Sequence, residues 1–374
     1  MDIRFTVNQK SLINILASMQ PICTKRTTLD TTAYILFNVG HKELVLKATD
    51  LEISLQSSYT LEDSTCEEPH AFLVPGKRLF DLVKELDGLI EFRVNENQIT
   101  IHAGRVNLSL HIKDAEEFPP FPERIENLMQ FEASFLLKML NNVSFLIPQN
   151  NANPALNGLL VEISSTGLLM TATDGHCLAQ TSANAYTLDE PRRWLLPRRA
   201  IFEMKRLLEG SEEPIVFVGT CGNQLVFSGT MFNFFTRLLA DPFPSYDAIL
   251  NKEGFKPAVA DRSFLVKTLR RSSCLLSGQF IATNFGFAPE KVNVSMHNKE
   301  VGKLEEEVPL ARFDGNAMDI RFYAPYLLNG LQVFPEEQVT FYLKGSMNPV
   351  IFESSDDATQ VLYLVMPVSA THAG

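Results

Sequence analysis

Residues 44–55 read LVLKATDLEISL and residues 168–179 read LLMTATDGHCLA. Each is an alternating apolar run that stops on Ala-Thr-Asp, so Asp50 and Asp174 hold one position of a repeat, 124 residues apart. A further step of 124 lands on Asn298 inside KVNVSMHNKEVGKL, again an alternating run that ends at a polar corner. Alternation with period two marks a strand with one face turned to a core. The same stretch met three times at one spacing marks a tandem repeat.

Other landmarks keep that spacing. FLVPGKRLFDLVKEL starts at Phe72, WLLPRRAIFEMKRLL at Trp194 and IRFYAPYLLNGLQVF at Ile320. Phe118-Pro119, Phe243-Pro244 and Met366-Pro367 close the three units. Leu12, Ile13, Ile15, Leu16 and Met19 correspond to Leu136, Leu137, Met139, Leu140 and Val143, with Leu265, Val266 and Leu269 in similar places. The reading is a triplicated chain with domains 1–125, 126–252 and 253–374. Proline-rich linkers cover 114–127 and 241–257.

Each unit reads as α+β. A strand leads into a helix with apolar residues at i, i+3, i+4 and i+7, alternating strands follow, and a second helix enters after Pro75 or Pro197. Proline's fixed φ and missing N–H suit a helix entrance. Hairpins then turn at Asn95-Glu96-Asn97 and Cys221-Gly222-Asn223. Two helices can cover one face of such antiparallel sheet.

Composition narrows the function. The 374 residues are 45% hydrophobic and 21% charged, enough for several cores and unlike a disordered chain. No apolar run approaches the roughly 18 residues of a membrane span, and MDIRFTVNQK lacks the apolar block of a signal peptide. Five scattered cysteines, never spaced as CxxC, point to reduced thiols and the cytoplasm. Seven histidines form no metal-ligand spacing, and there is no Walker loop, GxGxxG or GxSxG. Asp174-Gly175-His176 hints at acid–base chemistry, but Asp50 repeats the position without a histidine, which favours a structural turn. No catalytic residue, metal or cofactor is expected.

Net charge is −11, yet its placement is uneven. Helix windows 10–22, 76–86, 134–145, 198–209, 262–276 and 323–334 hold thirteen lysines and arginines against four acids, Asp81, Glu85, Glu203 and Glu209. Basic helices and acidic sheets suggest one surface for a polyanion and another that repels it. Duplex DNA, with about one charge per 1.7 Å of axis, would be attracted without being read.

FTVNQKSLINIL, ATDLE, VPGKRLFDLVKEL, LNGLLVE, TATDGHCLA, LLPRRAIFEMKRLL, FPSY and VMPV resemble the bacterial DNA polymerase III β subunit, the sliding clamp, over essentially the whole chain. The resemblance implies the DNA clamp fold. Its three similar domains put helices on an inner surface and antiparallel sheets outside, in a ring-shaped homodimer joined head to tail. It implies a processivity factor without catalysis that encircles duplex DNA. It would tether the replicative polymerase, the clamp loader and other clamp-binding proteins, with no membrane partner. By matching position, the DNA contacts are Arg26, Gln149, Arg198, Arg199 and Arg206. The partner-peptide cleft comprises Thr173, Gly175, His176, Leu178, Pro244, Ile249, Leu364, Val365, Met366, Pro367 and Val368. The dimer joint comprises Arg105 and Leu108 facing Leu275, Leu276 and the acidic run Glu305-Glu306-Glu307. Cys177, Ala248 and Ser369 stand where family members commonly carry arginine, which predicts a less charged cleft rim, and SATHAG extends the chain beyond VMPV. A repeat scaffold that binds proteins without encircling DNA shares the apolar pattern and is the competing reading.

Overall fold

The computed structural model describes residues 3–122, 125–277, 281–355 and 358–368. Its helices are α1 (Gln9–Cys23), α2 (Gly76–Val83), α3 (Ala133–Ser144), α4 (Arg198–Glu209), α5 (Arg262–Ser273) and α6 (Ala324–Leu331). All six overlap their expected windows, to within a residue at the start of each. Asn8 accepts from Lys10 N at 3.0 Å and Asp261 from Phe264 N at 3.0 Å, satisfying free N–H groups at the starts of α1 and α5. Pro75 and Pro197 end the strands that lead into α2 and α4. α2 stops three residues short of its window, where the bonds tighten from four residues back to three, Glu85 N donating to Leu82 O at 3.0 Å and Leu86 N to Val83 O at 3.2 Å. Buried Leu12, Leu16 and Met19 of α1, and Leu265, Val266 and Leu269 of α5, face the cores. Lys10, Lys77, Arg78, Lys138, Arg206, Lys267, Arg270 and Arg271 are exposed.

Packing gathers the chain into two units, Met1–Leu137 with Arg199–Leu238, and Lys138–Arg198 with Leu239–Gly374. The first holds a four-stranded and a nine-stranded sheet, and the second a twelve-stranded sheet. The sheets grow large because strands cross from one repeat to the next. In the first unit, Phe232–Arg237 pairs antiparallel with Ile53–Thr60, Thr236 opposite Ile53 and Phe232 opposite Ser57. In the second, Gln360–Val365 pairs antiparallel with Cys177–Ala183, Val365 opposite Cys177 and Gln360 opposite Ser182. The last strand of a repeat thus extends the sheet of the repeat before it. Val106–His111, the first repeat's counterpart of the two exchanged strands, pairs only with Gln98–Ala103 and forms the edge of its four-stranded sheet. Gly302–Phe313 occupies in the third repeat the place of the two acceptor strands. It pairs along 302–309 with Lys291–Asn298, and its other side meets Lys256–Asp261 only near its end.

Candidate functional site

The three repeat-equivalent polar residues do one job. Asp50 Oδ1 accepts from the N–H groups of Glu52 (3.0 Å) and Ile53 (2.8 Å). Asp174 Oδ1 accepts from His176 (2.8 Å) and Cys177 (2.7 Å), and Asn298 Oδ1 from Glu300 (3.0 Å) and Val301 (3.3 Å). Side-chain acceptance two and three residues on is how Asx residues build turns. Thr49 and Thr173 add the same bond, from the N–H of Leu51 (3.1 Å) and Gly175 (3.2 Å). Leu51 and Gly175 both take positive φ, 75° and 94°, a region open to glycine and strained for leucine. Asp174 is therefore a turn residue.

The first two corners also hold the exchanged strand, and all three hold the segment after the repeat's first helix. Arg237 N donates to Glu52 O at 2.9 Å, and Met366 N donates to His176 O at 2.9 Å. Lys25 lies 3.8 Å from Asp50, Asn151 Nδ2 donates to Asp174 O at 3.3 Å, and Asn298 Nδ2 donates to Leu275 O at 2.6 Å.

Among the residues expected to meet DNA, Arg26 and Gln149 are exposed, and Arg206 is exposed beside Glu203 at 3.3 Å. Arg198 and Arg199 are half-buried and already engaged. Arg198 Nε donates to Ile147 O at 3.0 Å. Arg199 pairs with the fully buried carboxylate of Asp50 and donates to Pro21 O at 3.0 Å. Lys205 on α4 stands 5.5 Å over the ring of Phe202, and burial lowers its pKa.

The expected cleft residues divide. Leu178 and Leu364 pair across strands and form the floor of an apolar cluster with Ala155, Leu160, Leu195, Phe243, Tyr246 and Ile351. Half-buried Met366 packs against it. Thr173, Pro244, Pro367 and Val368 are half-buried, Gly175 and His176 exposed, and Ile249 is 41% exposed. The His176 ring stacks on Tyr326 of α6 at 5.7 Å and 18°. Val365 is fully buried and registers with Cys177, one residue out of phase with the cluster. The expectation that Cys177 belongs to the rim is corrected. Strand alternation sends it to the opposite face, where it is 1% exposed, and burial pushes its thiol pKa up. Ala248 is exposed in the turn Asp247–Leu250, whereas Ser369 and the rest of SATHAG lie outside the described residues. Tyr246, Tyr326 and Ile351 escaped the sequence reading. The FPSY motif pointed to Tyr246, which donates to Glu162 Oε2 at 2.9 Å and whose pKa burial raises to about 12.

At the expected joint, Arg105 is exposed and Leu108 half-buried on the edge strand, and Leu275 and Leu276 are half-buried after α5. Glu306 accepts from Arg271 Nε at 3.0 Å, while Glu307 and Glu305 pair with Lys291 (2.5 Å) and Lys303 (3.6 Å). The acidic run is thus partly neutralised within the chain.

Three like α+β repeats, the second and third each lending a last strand to the repeat before, define the three-domain clamp class. Family models agree, with the N-terminal, central and C-terminal domains of the DNA polymerase III beta subunit matching residues 3–122, 130–245 and 248–369. A curated relative, the beta sliding clamp of Pseudomonas putida, is 31% identical over 97% of this chain and 99% of its own length. The crystal structure of the DNA polymerase sliding clamp from Pseudomonas aeruginosa superposes with a TM-score of 0.89 at 28% identity, covering 98% of this chain and 99% of that one. The Bacillus subtilis sliding clamp shares the fold at a TM-score of 0.92 and 22% identity, over 99% of this chain and 100% of that one. The chain belongs to the DNA polymerase III beta subunit family. These matches favour a clamp over the protein-binding scaffold.

Proposed function

We propose that two copies of this chain close head to tail into a ring around duplex DNA and tether the replicative polymerase and other clamp-binding proteins to it. One observation carries the reading. Strand exchange occurs twice within the chain and leaves one donor, Val106–His111, and one acceptor, Gly302–Phe313, at opposite ends of the repeat series. A second copy supplies the missing partner of each, and a heterologous contact of this kind makes rings when it closes. Unpaired edges otherwise invite uncontrolled pairing.

In this reading the domains are 1–125, 126–252 and 253–374. Leu108 meets Leu275 and Leu276 of the other copy, and Arg105 meets the Glu305–Glu307 run. The basic helix faces turn inward. Arg26, Gln149, Arg198, Arg199 and Arg206 meet phosphates, with Arg199 sharing its charge with Asp50. Enclosure does the holding, so the contacts can be weak and sequence-independent, and tethering raises the polymerase's effective concentration at the primer end. The cleft over Leu178, Leu364 and Met366 takes the apolar anchors of a partner peptide, with its neighbouring positions from Thr173 to Val368 as walls. The chain does no chemistry itself and works in the cytoplasm; no described helix is long and apolar enough to cross a membrane.

Sedimentation tests the joint. The 42.0 kDa chain should run at twice that mass, and Leu276→Glu should run as a folded monomer. An unchanged dimer in that variant would refute the joint as placed.

A further inference from the structure

Strand alternation sorts the side chains beside the apolar cleft into rows. The first row is Leu178, Leu364, Ile351 and Tyr342, each opposite the next across the sheet. Two residues along each strand, the second row reads Gln180, Leu362, Glu353 and Thr340. Ser182 and Gln360 continue into a third. The second and third rows line a cavity of about 570 Å³ that has no part in the apolar recognition proposed above. Tyr342 and Leu362 belong to both, since they pack against the apolar cluster and also line the cavity. The cavity and the apolar cluster therefore adjoin.

The chemistry changes sharply between the rows. Lys252 Nζ donates to both carboxylate oxygens of Glu353 at 2.7 Å and stands 4.8 Å over the Tyr342 ring. Across the cavity the Glu336 carboxylate accepts from Ser354 Oγ. Two carboxylates face one ammonium, so the lining keeps one unmatched negative charge, among amides, hydroxyls and the apolar Val361 and Leu362.

We propose that this cavity receives a basic side chain of the partner peptide, placed beside its apolar anchors, and so adds charge selectivity to apolar docking. The proposal rests on the cleft reading above. Two residues of extended chain span about 7 Å, the same step that separates the rows, so an arginine two positions from the anchor reaches the carboxylates. Planar guanidinium binds carboxylate through paired hydrogen bonds.

The test uses the full-length protein and three fluorescent peptides. One carries a Leu-Phe anchor alone, and the others add arginine two residues before or two residues after it. One arginine peptide should bind about tenfold more tightly than the anchor alone, a gain appropriate to one partly exposed charge-assisted contact. Glu336→Gln with Glu353→Gln should abolish that gain and leave anchor binding unchanged. Lys252→Met should enlarge it, because Glu353 is then free. Equal binding by all three peptides, or a gain that survives the double glutamine variant, overturns the proposal. Failure of the anchor peptide itself would instead overturn the cleft reading.

Discussion

The joint at Asp50 and the joint at Asp174 share a hydrogen-bond frame and differ in what closes them. At the first, Arg199 and Lys25 converge on a carboxylate with no exposed surface. Ser54, placed where Leu178 stands in the second, bonds Thr49 at 2.7 Å. At the second, no arginine among the described residues bonds the Asp174 carboxylate. Tyr326 stacks on His176, the Tyr363 hydroxyl donates to Tyr326 O at 2.7 Å, and the other sheet face carries the apolar floor. One backbone solution therefore supports a charge-locked joint and a joint that, in the proposed reading, receives a partner peptide. The difference lies in a few side chains.

The sharpest way to break this comparison is to remove both carboxylates in turn. Asp50→Ala leaves Arg199 without its carboxylate and strands two turn N–H groups, while Lys25 keeps Glu52, and should cost about 3–5 kcal/mol in chemical denaturation. Asp174→Ala loses only turn hydrogen bonds and should cost about 1–2 kcal/mol. Equal losses would show that the ion pair locks nothing.

Arginines at the two kinds of position should also part ways. Arg199→Met should lower stability by roughly 2 kcal/mol, since Lys25 remains to face Asp50. Arg26→Glu should change stability by less than about 0.5 kcal/mol, as surface substitutions do, while weakening DNA retention and flattening its salt dependence. Retention untouched by Arg26→Glu would remove that residue from the DNA-facing set.

Within the second joint, Met366→Ala should weaken an anchor peptide about tenfold with little loss of fold, because Met366 is half-buried at the cluster's edge. Fluorescence titration reads this directly, and undiminished affinity would place the anchors elsewhere. The smallest effect is alkaline. Burial raises the Tyr246 pKa to about 12, above the value of about 10 in an unfolded chain. Its contribution to stability is complete below pH 10 or so and is lost as pH rises towards 12. Tyr246→Phe should make the stability curve less steep in that window, and an identical slope would show that Tyr246 titrates normally.

Much of this frame was legible in the chain. The 124-residue spacing found Asp50, Asp174 and Asn298 because a turn needs its acceptor at a fixed offset from the N–H groups it binds. Apolar periodicity found all six helices for a similar reason, since burial of one face is a local pattern. Strand exchange was not legible. Phe232–Arg237 and Ile53–Thr60 are ordinary alternating strands, and nothing in either says which edge it will extend. The pairing of Arg199 with Asp50, 149 residues away, depends on that exchange, so Arg199 read simply as a cation. Cys177 was misplaced for the opposite reason: family position set it on the rim, while alternation with Leu178 turns it to the other face.

Retention of the protein on circular DNA, measured before and after a single cut, tests enclosure most directly. The account predicts that the protein stays on the closed circle at moderate salt and runs off within minutes of linearisation. Equal retention on both forms would mean that surface attraction holds it, and the ring would be the wrong description.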